Sequence, residues 1–435
     1  MSTQLTGTIG VFLLLALMFL GVPIWLCMML VGAAGCLLIL GAGATLTLAQ
    51  STCISTAADY TFAVLPAFLL MGEFAGTSGM MHEAYGVINT WMGKIRGGLA
   101  MASVIGAAAF SCVSGSSMAC AAIMTRIALP SLLKYKYDPR LATGALAAGG
   151  TLGNLIPPGL LLVVYAMLTE VSLGKLFIAC YIPGILLTVM YIVQIYIQCR
   201  INPSLGPAAG SSTWKEKLHS IKGIAPVSVV FLIVLGGIQF GVFTPNEAAS
   251  VGTVFIFIYA LARKTINRQN LAHSFKDTLV VTGMCLAIII STRIFSVFMA
   301  ASGVSQALAE LLVGLNLSTF GVVILIMLVY FILGIPLDPM ATILLTLPVF
   351  MTVLNTFHID LIWFGVLIIT QVEMANLTPP VGMNLFVVSG MVKPLGISMG
   401  TVFRGSLPFC ITILVFLVLL IAFPQISLVA VNFMK

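Results

Sequence analysis

The sequence predicts an all-α integral membrane protein built from two inverted-topology repeats, each with a re-entrant helical hairpin and a broken transmembrane helix. Three observations lead to this prediction. Of the 435 residues, 60% are hydrophobic and only 7% are charged, and apolar runs of about 20 residues, long enough to cross a bilayer, recur along the chain. A double-proline motif interrupts two of these runs. Features of the first half also return in the second half at a nearly constant spacing.

The double-proline motifs predict the two broken helices. The apolar run 141–168 contains Pro157-Pro158 near its centre, and proline removes a backbone donor and clashes with the preceding turn. Backbone that opens at membrane depth is tolerated only where protein buries it or a watery cavity receives it. The motif returns at Pro379-Pro380. Broken helices are therefore expected at about 141–168 and about 361–388.

Two other apolar runs are expected to fold as re-entrant hairpins. The run 98–133 holds 36 residues, which as one helix would far exceed a membrane core of ~30 Å. Its centre, Ser114-Gly115-Ser116-Ser117, is a poor helix interior, and basic residues flank both ends. Both ends should therefore lie on the cytoplasmic side. The run 320–357 is divided by residues 334–339, Gly-Ile-Pro-Leu-Asp-Pro, and lacks flanking Lys or Arg, as expected for a hairpin that enters from outside.

Constant offsets between equivalent features predict an internal repeat. Asn154 and Asn376 are 376 − 154 = 222 residues apart, and the hairpin tips Gly115 and Asp338 differ by 338 − 115 = 223. Five crossings per half, with both termini outside, place 15 of the 19 basic residues on the cytoplasmic side, and an odd number inverts the second half. The predicted parts are residues 1–199, a cytoplasmic linker 200–222 and residues 223–435.

The remaining elements of this topology are simpler. A polar connection is expected from Gln50 to Tyr60, followed by a third span at about 62–75. In the second half, a basic loop that contains Arg268 and Lys276 should precede a span at about 278–300.

The composition argues against several other classes of protein. The net charge of +7 comes from Lys and Arg in short loops between spans, which indicates orientation in a lipid bilayer and no role in nucleic-acid binding. The chain has no G-x-x-x-x-G-K-[ST] loop for nucleotide phosphates. A membrane-embedded hydrolase is disfavoured because no Ser–His, His-cluster or paired intramembrane carboxylate pattern is present. Two equivalent broken helices instead indicate the binding site of a secondary transporter, so no enzymatic activity is expected.

Oxygen atoms at the tips and breaks are the expected cation ligands. Unwound carbonyls, the hydroxyls of Ser114 and Thr378 and the amide oxygens of Asn154 and Asn376 are hard donors that suit Na⁺ better than a transition metal. The small residues could instead serve only close helix packing, but their repetition at both tips favours ion binding. Asp338, at the second tip, could complete a cation site.

Charges within apolar runs are candidates for substrate binding. Arg126 lies in the second arm of the first hairpin, where it could hold a substrate carboxylate through a bidentate pair. The alternative is that its side chain extends to the cytoplasmic surface; we favour the substrate contact. Glu73, Arg293 and Glu373 are undecided between structural and functional roles.

Five motifs together resemble the large membrane subunit of tripartite ATP-independent periplasmic (TRAP) transporters, and the resemblance covers almost the whole chain. The motifs are Ser-Gly-Ser-Ser at 114–117, Arg-Ile-Ala-Leu-Pro at 126–130, Ala-Ala-Gly-Gly-Thr-Leu-Gly-Asn-Leu-Ile-Pro-Pro at 147–158, Gly-Val-Phe-Thr-Pro-Asn-Glu-Ala-Ala at 241–249 and Leu-Thr-Pro-Pro-Val-Gly-Met-Asn-Leu at 377–385. The resemblance implies a Na⁺-driven secondary importer of the elevator type.

The resemblance also assigns four residues to each of two Na⁺ sites and one residue to the substrate carboxylate. The implied ligands are Ser114, Gly115, Gly153 and Asn154 in one Na⁺ site, Gly334, Asp338, Asn376 and Thr378 in the other, and Arg126 for the carboxylate.

Two partners follow from the same resemblance: a small four-helix membrane subunit, expected as a separate chain, and a soluble periplasmic protein that delivers an organic acid. The expected location is the bacterial inner membrane, with several spans and both termini periplasmic. Sialic acid, a C4-dicarboxylate, a keto acid or a zwitterion such as ectoine all remain open as substrates. The alternative is a self-sufficient Na⁺/carboxylate symporter of the same architecture that needs no binding protein.

Overall fold

The computed structural model describes residues 2–208, 210 and 213–432, and it shows an all-α membrane protein, as the sequence predicts. The helices of the first half are α1 Thr3–Phe19, α2 Ile24–Leu40, α3 Ala42–Ala58, α4 Val64–Thr77, α5 Met80–Met92, α6 Gly98–Ser114, α7 Ser117–Lys134, α8 Pro139–Leu155, α9 Leu160–Thr169, α10 Leu173–Ala179 and α11 Tyr181–Ile201. A short helix, α12 Trp214–Ser220, lies between the halves.

The helices of the second half follow a similar order. They are α13 Ala225–Phe231, α14 Gly237–Gln239, α15 Pro245–Ala262, α16 Arg268–Ser302, α17 Val304–Gly314, α18 Thr319–Gly334, α19 Pro339–Thr356, α20 Leu361–Leu377, α21 Met383–Val392, α22 Met399–Ala422 and α23 Gln425–Asn432.

Many of these helices are suited to cross a membrane. In the described part of the chain, eight helical segments are long and apolar enough, or up to nine if the bent pair within 214–239 counts as one span. Helices α1 and α2 have 17 residues each and so approach the ~30 Å of a bilayer core at about 1.5 Å per residue. The protein is therefore a multi-pass membrane protein.

Both double-proline motifs interrupt a helix. The first break separates α8, which ends at Leu155, from α9, which begins at Leu160. The second separates α20, which ends at Leu377, from α21, which begins at Met383. The lost N–H groups of the prolines and their clash with the preceding turn account for the interruptions. Each break contains one cis Pro–Pro peptide bond.

Two helical hairpins, α6–α7 and α18–α19, lie where the sequence predicts them. The second arm of each begins with a capping residue: Ser116 accepts the N–H of Ala119 at 3.4 Å, and Asp338 accepts the N–H of Ala341 at 3.1 Å. The starts of α7 and α19 differ by 339 − 117 = 222 residues, and those of α8 and α20 by 361 − 139 = 222. The order of helices around each tip and break therefore recurs at the offset seen in the sequence.

The prediction of a polar connection from Gln50 to Tyr60 is wrong up to residue 58, which ends α3. The polar residues here are mostly Thr and Ser, and no Pro or Gly follows Gly43 to end the helix. Their hydroxyls bond back to the carbonyls of the preceding turn, as Ser51 does to Leu48 at 3.1 Å. A polar segment can therefore remain helical.

Two other boundaries also differ from the prediction. Arg268 and Lys276, expected in a loop, belong to the 35-residue helix α16, which Asn267 caps by accepting the N–H of Asn270 at 2.7 Å. The linker 200–222 contains α12, which starts at a capping box formed by Thr213 and Glu216. The predicted periplasmic C-terminus, Lys435, lies outside the described residues.

Helix α8 lies at the centre of the larger of two apolar clusters, and all its residues from 141 to 155 are buried. Glycines permit this close packing, because a Cβ on Gly144 would lie 2.1 Å from the carbonyl oxygen of Gly405 in α22. A second, smaller cluster joins α1, α2 and α16 around Phe295 and Phe298. Val164 of α9 reaches this second cluster, so the broken helix lies at the boundary between the two.

Candidate functional site

The first hairpin tip packs directly on the first helix break. Gly115, in a left-handed conformation, accepts the N–H of Leu160 through its carbonyl oxygen at 2.9 Å. A Cβ on Gly115 would lie 2.4 Å from the carbonyl oxygen of Pro158, and a Cβ on Gly153 would lie 2.7 Å from that of Ser116. Glycine is therefore required at both positions for the tip and the break to meet.

Ser114 leaves an oxygen available at this meeting point. Its Oγ is buried and has no hydrogen-bond partner among the described residues. A buried hydroxyl without a partner is costly unless a ligand or water satisfies it. Asn154, which is 7% exposed, lies in the same region. The donors here are hydroxyl, amide and carbonyl oxygens, which suit a small hard cation.

Glu373 connects the two halves at this site. Its Oε1 accepts hydrogen bonds from the Oγ of Ser117 at 2.6 Å and from the Nδ2 of Asn154 at 2.7 Å. Its Oε2 accepts a longer bond from the Nδ2 of Asn376 at 3.4 Å. Glu373 is 1% exposed, and no Lys, Arg or His of the described chain lies within ion-pair distance of it. A buried carboxylate without a cationic side chain is costly unless it takes up a proton or a cation lies nearby.

The second tip packs on the second broken helix. A Cβ on the buried residue Gly334 would lie 2.8 Å from the Cβ of Ala375, next to Asn376. Asp338 is half-buried at the start of α19. Thr378 follows the end of α20, and its hydroxyl donates to the carbonyl of Met374 at 2.7 Å. The structure thus packs Gly334 against α20 at Ala375, the residue before Asn376, with Asp338 and Thr378 at the ends of the adjoining helices.

The hairpin arginine, Arg126, has a different setting. It lies on α7 with an exposed side chain and forms no hydrogen bond or ion pair with any described residue. It does not line the two cavities described below. Its assignment to a substrate carboxylate stays a prediction.

Two adjoining cavities, of about 690 and 340 Å³, lie between α9 and the middle of α16. They share Met167, Glu170 and Arg293 as lining residues. The guanidinium of Arg293 donates to the Oγ1 of Thr56 at 3.3 Å and lies 5.9 Å from the ring centroid of Phe62. Cavities of this size bind small molecules in other proteins.

Sequence reasoning left three charged residues undecided, and the structure separates them. Glu73 does not pair with Arg293; it faces His273 and Asp277 of α16, and one ligand atom from each of the three lies within 4.8 Å of the others. Arg293 lines the cavities, and Glu373 lies at the hairpin–break junction. Glu373 could have been found from the sequence, because it is a charged residue within an apolar span, three residues before Asn376, and such residues are candidates for a functional role.

Comparisons with known proteins agree with this architecture. The profile of the family described as "Tripartite ATP-independent periplasmic transporter, DctM component" matches residues 11–426. The C4-dicarboxylate TRAP transporter large permease protein DctM of Pseudomonas aeruginosa is 35% identical over 384 residues, which cover 87% of this chain and 88% of that protein. The sialic acid TRAP transporter large permease protein SiaM of Vibrio cholerae is 29% identical and covers 95% of this chain and 96% of its own length.

One relative is longer, and one solved structure shares the fold. The sialic acid TRAP transporter permease protein SiaT of Haemophilus influenzae is 30% identical, and the match covers 85% of this chain but 59% of that protein. The crystal structure of the Alcanivorax borkumensis YdaH transporter superposes with a TM-score of 0.65 at 14% identity, over 88% of this chain and 90% of that one. The chain therefore has the fold of a known membrane transporter.

Proposed function

Because the chain belongs to the family of tripartite ATP-independent periplasmic transporters, DctM component, we propose that it is the large transmembrane subunit of a Na⁺-coupled transporter that imports an organic acid. Relatives carry names that specify C4-dicarboxylates, sialic acid and isethionate. All three are small molecules with an acidic group. A carboxylate or a related acid is thus the substrate class that the relatives support.

The observation that favours Na⁺ coupling most is the contact of Glu373 with Asn154, at the first break, and with Asn376, one residue before the end of its own helix α20. The first Na⁺ site would comprise Ser114, Gly115, Gly153 and Asn154, and the second Gly334, Asp338, Asn376 and Thr378. Glu373 would lie between them and compensate the charge of bound Na⁺ without contacting it. Both sites offer only oxygen donors, which supports an alkali cation over a transition metal.

Binding of Na⁺ would fix the tips against the breaks. The carbonyl of Gly115 and the amide of Asn154 belong to different helices, so an ion that binds both holds the hairpin on the broken helix. The hairpin tip and the helix break, once held together, would form a continuous surface that faces the cavity. Occupied sites would thereby favour substrate binding, as linkage between two ligands requires.

The movement would be of the elevator type. The hairpins and broken helices belong mostly to the larger apolar cluster, which also contains α13–α15, whereas α1, α2 and part of α16 form the smaller one with a few residues of α9 and α19. Spans 1–2 (α1 and α2) and spans 6–7 (α13–α15) would form the fixed scaffold, and the hairpin-bearing body would move with its ions and substrate. The inverted relation of the halves, with both termini periplasmic, completes this proposal.

Two partners and a location belong to the same proposal. A small four-helix membrane subunit would bind the large subunit, and a periplasmic binding protein would deliver the acid at the bacterial inner membrane. The longer relative SiaT, of which this chain matches 59%, supports a further membrane part. A self-sufficient Na⁺/carboxylate symporter is the second candidate, because the cation site lies wholly within this chain.

Uptake in proteoliposomes tests the proposal and separates the two candidates. The large and small subunits are reconstituted together, and uptake of labelled acid is measured with and without the binding protein, under inward Na⁺ or K⁺ gradients. We expect uptake only with both Na⁺ and the binding protein. Uptake of free acid by the large subunit alone, measured in a parallel reconstitution, would favour the symporter. Uptake that does not depend on Na⁺ would contradict both candidate functions.

A further inference from the structure

The two cavities between α9 and α16 carry an unusual set of charges. Only three charged residues of the described chain line them: Asp59, Glu170 and Arg293. No two of these form an ion pair within 4 Å. The cavity therefore offers one positive and two negative groups that have not neutralised one another by direct contact.

The positive end is Arg293, in the middle of α16. Thr56 accepts from one nitrogen of its guanidinium, and the ring of Phe62 supports the group from one side. A planar guanidinium has several donors, so those that Thr56 does not use are free to bind an acidic group in the cavity. Arg293 is half-buried, so water competes for such a bond less than at a fully exposed position.

The negative end is Glu170. Asp59 also lines the larger cavity, but on the Arg293 side, since it lies in sequence between Thr56 and Phe62, which both contact Arg293. Glu170 follows α9 in a left-handed conformation, with φ 58°, a region that non-glycine residues seldom adopt. A carboxylate at a helix C-terminus is also unfavourable for the helix, because the last carbonyls carry partial negative charge. Neither property stabilises the fold. Both create a negative end that attracts a cation or hydrogen-bond donors.

We propose that this cavity binds a small zwitterion, with its acidic group on Arg293 and its ammonium group towards Glu170. A dicarboxylate fits less well, since its second carboxylate would face the carboxylate of Glu170 and only one guanidinium is available. The inference rests on the proposed import of an organic acid and names the substrate class. Val163 lines both the larger cavity and a narrow crevice at Ser114 and Gly115, so this pocket lies beside the first proposed cation site.

The test uses three four-carbon compounds that differ at one end: γ-aminobutyrate, succinate and butyrate. The thermal unfolding midpoint of the large subunit, in complex with its small partner in nanodiscs, is titrated with each compound at constant Na⁺. The binding protein is omitted because its own ligand specificity would mask the ligand preference of the cavity. We expect γ-aminobutyrate to bind about tenfold more tightly than the other two. Equal or tighter binding of succinate, or no response to any of the three beyond that to KCl, would overturn the inference.

Variants show whether the named residues are responsible. R293Q should weaken γ-aminobutyrate binding about tenfold or more. R293K keeps the positive charge and should therefore lose less affinity for γ-aminobutyrate than R293Q does. E170Q should reduce about threefold the ratio of the affinity for γ-aminobutyrate to the affinity for succinate. Lys175 is exposed beside the cavity but does not line it, so K175Q is the matched control and should change nothing.

The same samples distinguish this inference from the proposed function. Stabilisation by Na⁺ alone, measured without any organic compound, reports the cation sites. If Na⁺ stabilises the complex while R293Q binds γ-aminobutyrate like the wild type, only the cavity assignment is wrong. If Na⁺ has no effect but the zwitterion preference holds, the Na⁺ coupling is wrong and the cavity assignment stands.

Discussion

The Nδ2 amide of Asn154 donates a hydrogen bond of 2.7 Å to the Oε1 of Glu373, which lies 219 residues later in the chain. Asn154 is the last residue but one of α8, before the first break, and Glu373 lies one turn before the end of α20, at the second break. The bond therefore links the two repeats at the proposed cation sites.

Replacing Glu373 by Gln tests the charge of the junction. A Gln side chain retains an oxygen for Asn154 and Ser117 but removes the negative charge, so we expect the Na⁺ concentration for half-maximal uptake to rise roughly tenfold or more. The Hill coefficient should fall, because Glu373 contacts residues of both sites. E310Q, at an exposed position on α17, is the control. Unchanged Na⁺ dependence in E373Q would show that Glu373 is only a structural residue.

Ser114→Ala separates ion binding from packing. The Oγ of Ser114 is buried without a partner in the described chain, so its removal should not reduce stability in the absence of Na⁺ and could increase it slightly. If the hydroxyl binds Na⁺, the stabilisation that Na⁺ provides should decrease. Unfolding midpoints with and without Na⁺ measure both effects. Equal stabilisation of S114A and the wild type by Na⁺ would show that Ser114 is not a Na⁺ ligand.

Gly153→Ala tests the contact between the first tip and break. Its Cβ would lie 2.7 Å from the carbonyl oxygen of Ser116, so the hairpin must shift, at a cost of about 1–3 kcal/mol. Gly283, in the middle of α16, has nothing within 4 Å of an added Cβ. G283A should therefore be neutral or stabilising, since Ala favours a helix over Gly. Similar denaturation curves for the two variants would argue against the close approach.

Arg126→Ala tests the sequence-based assignment that the structure leaves open. If Arg126 binds the substrate carboxylate, uptake should be lost while Na⁺ stabilisation persists. Its exposed position predicts little change in the unfolding midpoint. Normal uptake by R126A would end that assignment.

The sequence was sufficient to predict the breaks and the hairpins, because proline and glycine act locally on the backbone. Pro157 and Pro158 interrupt their helix whatever surrounds them. Local signals failed for α3. Its Ser and Thr content is typical of a polar connection, but their hydroxyls bond to carbonyls of the same helix, so the segment stays helical. They also failed for the pairing of Glu373 with Asn154 and Ser117. That contact depends on how the halves pack, and no spacing within either half encodes it.

The cavity shows the same limit. Arg293 and Glu170 are 123 residues apart, and only the packing of α9 beside α16 brings them to one lining. A charge within an apolar span indicated that Arg293 matters, but the sequence alone could not identify what faces it.

Direct measurement of Na⁺ binding tests the central claim most closely. The purified large subunit, with its small partner, is titrated with ²²Na⁺ as wild type and as the N154A/N376A double variant. We predict saturable binding in the wild type and its loss, or a rise of about tenfold or more in the dissociation constant, in the variant. Binding of Na⁺ by the folded double variant with wild-type affinity would contradict the claim that the two helix breaks hold the ions.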